Sequence, residues 1–233
     1  MPGTAAARLC RHSWQTRAAP RGCLWARGRA GEVERYEQLV PCRASRGGGR
    51  SFLDCLAVRA SNVGPLLAAS KEGKVDCAIV RVPAVPSVQV LQFAAARTLH
   101  NLTCGAMKAR TVNAELVYSL CPVRSIGEAF RRFGVPADSD EAHSVVVARL
   151  AREDGSGPDA LSCSSLLEWE AAVMAAGEGI DVLPAGDIAD FLSESCAAEP
   201  GRAAVVGAFG LLEEDLLHST LEDACILVIG SRE

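Results

Sequence analysis

The stretch that most limits what this chain can fold into runs from Met107 to Val135, MKARTVNAELVYSLCPVRSIGEAFRRFGV. Asn113–Leu120 places Ala114, Val117 and Tyr118 at helical spacing, and Pro122 forbids extension because its ring blocks the preceding turn. Ser125-Ile-Gly-Glu128 then has the form of a capping box, with Ala129, Phe130 and Phe133 behind it and Gly134 placed as the residue after the helix. Two short helices with a rigid break between them leave no room here for a long bundle helix or a strand. The block opens on basic residues and holds no nucleophile with a partner base, so it reads as a binding surface.

The flanking segments alternate between strand and helix. Ser51–Arg59 is rich in β-prone residues and predicts a strand; Asn62 predicts the cap of a helix over Val63–Glu72 with Pro65 in its first turn, ended by Gly73. Val75–Val82 predicts a second strand, closed by Pro83 and Pro86. Ser87 caps a longer helix to Leu102 with Leu91, Ala95, Leu99 and Leu102 on one face, and His100 reads as a helix-end side chain. His143–Leu150, with three consecutive valines, predicts a strand covered on both faces. Beyond it, Ser165–Glu168 is a further capping box before a helix to Ala176, 177–184 a turn and short apolar run, and 186–192 a short helix followed by a Gly/Pro-containing link. The stretch 211–229 predicts a final helix whose apolar stripe is Leu212, Leu216, Leu217, Thr220, Leu221 and Ala224. The pattern is α+β: a single domain with a mostly antiparallel or mixed sheet flanked by helices.

Charge divides the chain more sharply than its net −4 implies. Residues 1–50 carry ten Arg against three Glu, residues 51–135 ten basic against five acidic, and residues 136–233 four against twenty. A basic middle that can meet phosphate precedes an acidic third that repels it. Residues 1–35 are expected to be a disordered, Arg-rich extension and 36–233 the folded domain. Residues 1–31, acid-free and Arg-rich, resemble an organellar transit peptide, but compositional bias or a misjudged start codon is the preferred reading. The ten cysteines contain no C-x-x-C pair, and without a secretory signal they read as buried reduced thiols of a nuclear or cytoplasmic protein. No apolar run approaches the roughly 20 residues of a membrane span, so no membrane partner is expected.

Chemistry is scarce. No dinucleotide, P-loop, metalloprotease, nucleophile-elbow or kinase signature is present, and Gly47–Gly49 lacks the Lys and helix that a phosphate loop requires. The chain is therefore expected not to be an enzyme and to need no cofactor or metal. Lys108, Arg110, Thr111 and Asn113 stand just before or within the first turn of a helix, where free backbone N–H groups and the dipole favour an anion. The alternative is purely structural: Arg110 pairs with Glu115 or another acidic neighbour and Thr111 merely caps the helix. Aromatic residues for base stacking are few nearby, which argues against a long single-stranded platform.

Gly73–Val135 resembles the PRPK-binding protein (TPRKB) family, on K-x-R-T at Lys108–Thr111, Glu115 in the following helix, S-L-C-P at Ser119–Pro122 and I-x-E-A-F-x-x-F-G at Ile126–Gly134. The resemblance is good from about Phe52 to Leu150 and returns weakly at Leu221–Ile226. It implies a small non-catalytic α+β subunit of the KEOPS complex that binds the PRPK-type atypical kinase subunit, meets the other subunits indirectly and helps recruit tRNA. The complex then installs threonylcarbamoyl on the adenosine beside the anticodon through a different subunit. On this reading Lys108, Arg110, Thr111 and Asn113 contact tRNA, and Leu212, Leu216, Leu217, Leu221 and Ala224 meet the kinase. The rival reading is a regulator of the kinase acting through that leucine stripe alone, with no RNA contact.

Overall fold

The computed structural model describes residues 27–30, 33–38, 50–60, 62–136, 143–152, 165–176, 180–182, 188–197 and 199–231. Its centre is an antiparallel pair: β3 (Ser51–Ala60) and β5 (His143–Arg152) run side by side in unbroken register from Ser51 opposite Arg152 to Ala60 opposite His143. β4 (Ala78–Arg81) pairs with β5. Along the other edge of β3 lie β2 (Val33–Gln38), itself paired to β1 (Arg27–Ala30), and the short β6 (Ile180–Val182). Every pairing is antiparallel, as expected for this α+β domain.

Both faces of the sheet are covered, which is why its central strands carry almost no polar alternation. Leu53, Cys55 and Ala57 of β3 and Val146, Ala148 and Leu150 of β5 face one core. Leu56, Val58, Val145 and Val147 face the other. The second core is closed by α1 (Gly64–Lys71) and α5 (Leu166–Ala176), through Leu66, Trp169 and Val173. The first and larger core takes α2 (Val88–Thr103), α3 (Val112–Leu120), α4 (Ile126–Phe133), α6 (Ile188–Ala197), α7 (Glu199–Phe209) and α8 (Leu221–Gly230). Phe133 of α4 meets Phe209 of α7 edge to face, centroids 5.1 Å apart, and locks those two helices together.

Most element starts obey the chain's own caps. The hydroxyls of Ser87, Thr111 and Ser125 accept from Val90, Ala114 and Glu128 N–H, respectively. At α5 the box is complete: Glu168 N donates to Ser165 Oγ at 3.2 Å and Ser165 N to Glu168 Oε2 at 2.9 Å. At α4 only half of the expected box forms, because Arg131 and Arg132 take the Glu128 carboxylate away from the cap.

Several expectations are corrected. Val63, not Asn62, occupies the N-cap of α1, while Asn62 Oδ1 accepts from Gly64 N. β4 starts at Ala78 rather than Val75, since Lys74 and Val75 N–H turn back to the Ala69 carbonyl. Gly134 does follow the helix as expected, extended at φ −78°, and glycine suits it because a Cβ would stand 2.6 Å from the Phe130 carbonyl oxygen. The supposed link after 192 is helical: α6 continues to Ala197 and α7 follows, with Gly201 backed so closely onto Ser195 O that a Cβ would sit 1.8 Å away. The expected helix over 211–229 is broken into a 3₁₀ turn, Glu213–Leu216, and α8, because Thr220 caps a new helix by accepting from Asp223 N at 3.1 Å. β1 and the first half of β2 precede position 36; residues 1–26, including most of the transit-like segment, lie outside the described residues.

β2 is held by charge. Across β2, β3 and β5 the directly opposed residues Arg35, Asp54 and Arg149 form one row. Asp54 accepts from Arg35 Nε at 2.6 Å and Nη2 at 2.9 Å, and from Arg149 Nε at 3.0 Å. Arg149 is wholly buried, with its guanidinium 4.8 Å from the Trp169 ring centre. Burial pulls its pKa down and Asp54 opposes that pull. On the opposite face Glu34 accepts from Tyr36 OH and from Ile188 N at 3.1 Å, capping α6 from the sheet.

A candidate anion-binding turn

The turn between α2 and α3 is built from its ends. α2 finishes in a Schellman motif: Gly105 takes φ 65°, its N–H reaches Leu102 O at 3.2 Å, and Ala106 N reaches Asn101 O at 2.7 Å. α3 begins at Thr111, whose Oγ1 accepts from Ala114 N at 3.2 Å. Met107 packs half-buried against the larger core and anchors the middle.

Glu115 fixes the rest. It is fully buried, and its carboxylate accepts from Lys108 N at 2.9 Å, Ala109 N at 2.7 Å and Asn101 Nδ2 at 2.8 Å. A buried carboxylate is tolerated because its oxygens are saturated by donors and it stands in the first turn of α3, at the positive end of the dipole. Of the structural alternative, the pairing of Arg110 with Glu115 does not form, since the carboxylate faces inward, whereas the Thr111 cap does. Lys108 and Arg110 are exposed and have no ion-pair partner among the described residues.

The expected residues thus separate into two kinds. Lys108 and Arg110 project from a rigid turn. Thr111 is spent on its cap, and the Asn113 side chain donates to Asp76 Oδ1 on the segment entering β4. Thr111 and Asn113, but not Lys108 or Arg110, line a groove of about 460 Å³ walled also by Leu67, Lys71, Ile79, Val117, Phe130 and Val135. Phe130, an aromatic side chain 44% exposed, opens into this groove. Sequence spacing puts it with the core residues of α4; it lies about 100° round that helix from Ala129 and about 60° from Phe133, both fully buried, at the edge of the buried face.

The leucine stripe does not survive as one face. Leu212 and Leu217 are 64% and 72% exposed, Leu216 and Leu221 are partly buried against the larger core, Thr220 is a cap and Ala224 is 3% exposed. Leu227 of α8, 65% exposed, is an outward leucine that the stripe omits.

The family model described as kinase binding protein CGI-121 matches residues 60–169, from the end of β3 through Trp169. Over those residues the chain is similar to the CGI-121 family. The matched span contains the turn, its Glu115 anchor and the groove. Among curated proteins, the chain is 31% identical over 81 residues to "EKC/KEOPS complex subunit TPRKB" of Danio rerio, covering 35% of this chain and 46% of that protein. It is 27% identical over 101 residues to "EKC/KEOPS complex subunit CGI121" of Candida glabrata, covering 43% of this chain and 55% of that one. The chain therefore spans about half the length of the curated relatives it matches. Among the described residues no helix is long and apolar enough to cross a membrane.

Proposed function

We propose that this CGI-121-type chain is a non-catalytic subunit of an EKC/KEOPS-type complex. It binds the complex's PRPK-type kinase subunit and helps bring tRNA for threonylcarbamoyladenosine modification beside the anticodon, in nucleus and cytoplasm. The kinase half is supported by the description of the matching family and by the relatives' names. The observation that carries the RNA half is the turn itself: its backbone is pinned inward by Glu115, so Lys108 and Arg110 are presented outward without an entropic cost of ordering the loop. Each exposed cation placed on a phosphate releases counterions, which makes affinity fall with salt.

The contact to the kinase is assigned to the outward leucines Leu212 and Leu217, and Ala224 is left out of it because it is buried. The second reading, a kinase regulator without RNA contact, is favoured by those same leucines, which lie among Glu213, Glu214 and Asp215 where RNA is repelled. Copurification of the full chain with the kinase subunit, alongside tRNA binding by the full chain, separates the two. Binding to both supports the proposal; kinase binding alone leaves the regulator.

A further inference from the structure

A second basic feature lies away from the turn, between α4 and α7. Arg81, the last residue of β4, reaches over to the end of α4, where its Nη2 donates to the Arg131 carbonyl at 3.2 Å and to that of Arg132. Arg132 Nη1 donates to Ala208 O on α7 at 3.0 Å. Arg131 and Arg132 share one carboxylate, Glu128, at 2.7 and 3.1 Å. The result is a cleft of about 290 Å³ lined by Arg81, Arg131, Arg132, Ala204, Gly207 and Ala208.

Three arginines line the cleft, two of them sharing the single acid Glu128, and no carboxylate is among its lining residues. Carbonyl staples at two helix ends explain Arg81 Nη2 and Arg132 Nη1. They do not explain Arg81 Nε, which is buried without a hydrogen-bond partner. A buried donor left unpaired costs stability, and in a cleft of one sign it marks where an acceptor is missing. The α7 wall is small, Ala204, Gly207 and Ala208, so it leaves room for an oxyanion and offers nothing that competes for the arginines. Planar guanidinium forks match tetrahedral oxyanions through paired N–H bonds. We propose that the cleft between α4 and α7 is a phosphate-binding site, with Arg81, Arg131 and Arg132 as its ligands, distinct from the Lys108–Asn113 turn. The phosphate is either a small free one or one carried in a nucleic-acid backbone. The inference does not rest on the RNA reading of the turn.

The test is titration of the full-length protein with inorganic phosphate at constant ionic strength, following heat and the Arg81 Nε–H resonance. A Cβ at Gly207 meets nothing within 4 Å, so this position accepts side chains. Gly207→Glu places a carboxylate into the cleft and should weaken phosphate binding at least about tenfold, whereas Gly207→Gln, of the same shape without charge, should keep it. Should Gly207→Glu fail to fold, Arg131→Gln, which alters only an exposed side chain on Glu128, reads the same effect. Absence of phosphate binding to the unaltered protein, or equal binding by all variants, overturns the site. Where the site stands, the source follows from tRNA: if Gly207→Glu also lowers tRNA affinity and its log salt slope by about one unit, the phosphate belongs to a nucleic acid, and if tRNA is unaffected the ligand is small. The double change Lys108→Ala with Arg110→Ala should leave the phosphate titration unchanged, so failure of the turn and failure of the cleft are told apart.

Discussion

At the residue scale, two buried carboxylates do most of the organising, and each makes a distinct prediction. Asp54 holds Arg35 and Arg149 in one cross-strand row, so Asp54→Ala leaves Arg149 buried without its counter-charge. The expected cost is about 3–5 kcal/mol, read as a fall in the urea midpoint; a decrease within experimental scatter would mean that the row is ornamental. Glu115 accepts three N–H groups, and Glu115→Gln replaces one accepting oxygen by a donor. That change should destabilise by about 1–3 kcal/mol and lower tRNA affinity, with Lys108 and Arg110 untouched. Wild-type RNA affinity in that variant would detach the turn's geometry from its function. Neither carboxylate's role is legible in sequence. Glu115 reads as a first-turn acid on a helix surface, and the row pairing Arg35 with Asp54 and Arg149 joins residues far apart in the chain, visible only once strand register is known.

At the element scale, what is legible is what local chemistry decides. Ser87, Thr111 and Ser165 each announce a helix start through their hydroxyls, and those helices begin where the spacing places them. The three valines of β5 are divided between two cores, and that is why the strand reads as a continuous apolar run. The elements that escape sequence reading are those whose reason lies elsewhere in the molecule. β2 reads as a polar segment because its charged residues are satisfied across the sheet and at the start of α6. α7 opens EPGR, a loop-like sequence, yet Pro fits a helix's first turn and Gly201 is demanded by contact with α6. In α4, Arg131 and Arg132 hold the Glu128 carboxyl down from its ordinary 4.5 to about 2. A depressed carboxyl contributes stability that is complete above the unfolded value near 4.5 and is lost as pH falls through about 2. The urea midpoint of the unaltered protein should therefore exceed that of Glu128→Gln near neutral pH, and the gap should close in that acid window. A gap independent of pH would show that the arginines are not acting on Glu128.

At the scale of the whole molecule, the chain sets a basic turn, an apolar groove with Phe130 at its mouth and a three-arginine cleft on elements that the CGI-121 match covers in large part, and places its acidic residues mostly beyond them. The outward leucines flank the α8 start within that acidic third. A double change, Leu212→Asp with Leu217→Asp, alters two exposed side chains and should leave the fold intact while removing copurification with the kinase subunit; retention would move the kinase contact to another surface. The claim that joins turn to function is tested most directly by tRNA binding to the purified full chain at two salt concentrations, comparing it with the Lys108→Ala, Arg110→Ala double variant. The account predicts weaker binding in the variant and a log salt slope shallower by about two units, one for each phosphate that a cation no longer neutralises. Unchanged affinity and slope would contradict it and leave a kinase-binding subunit that does not touch RNA through this turn.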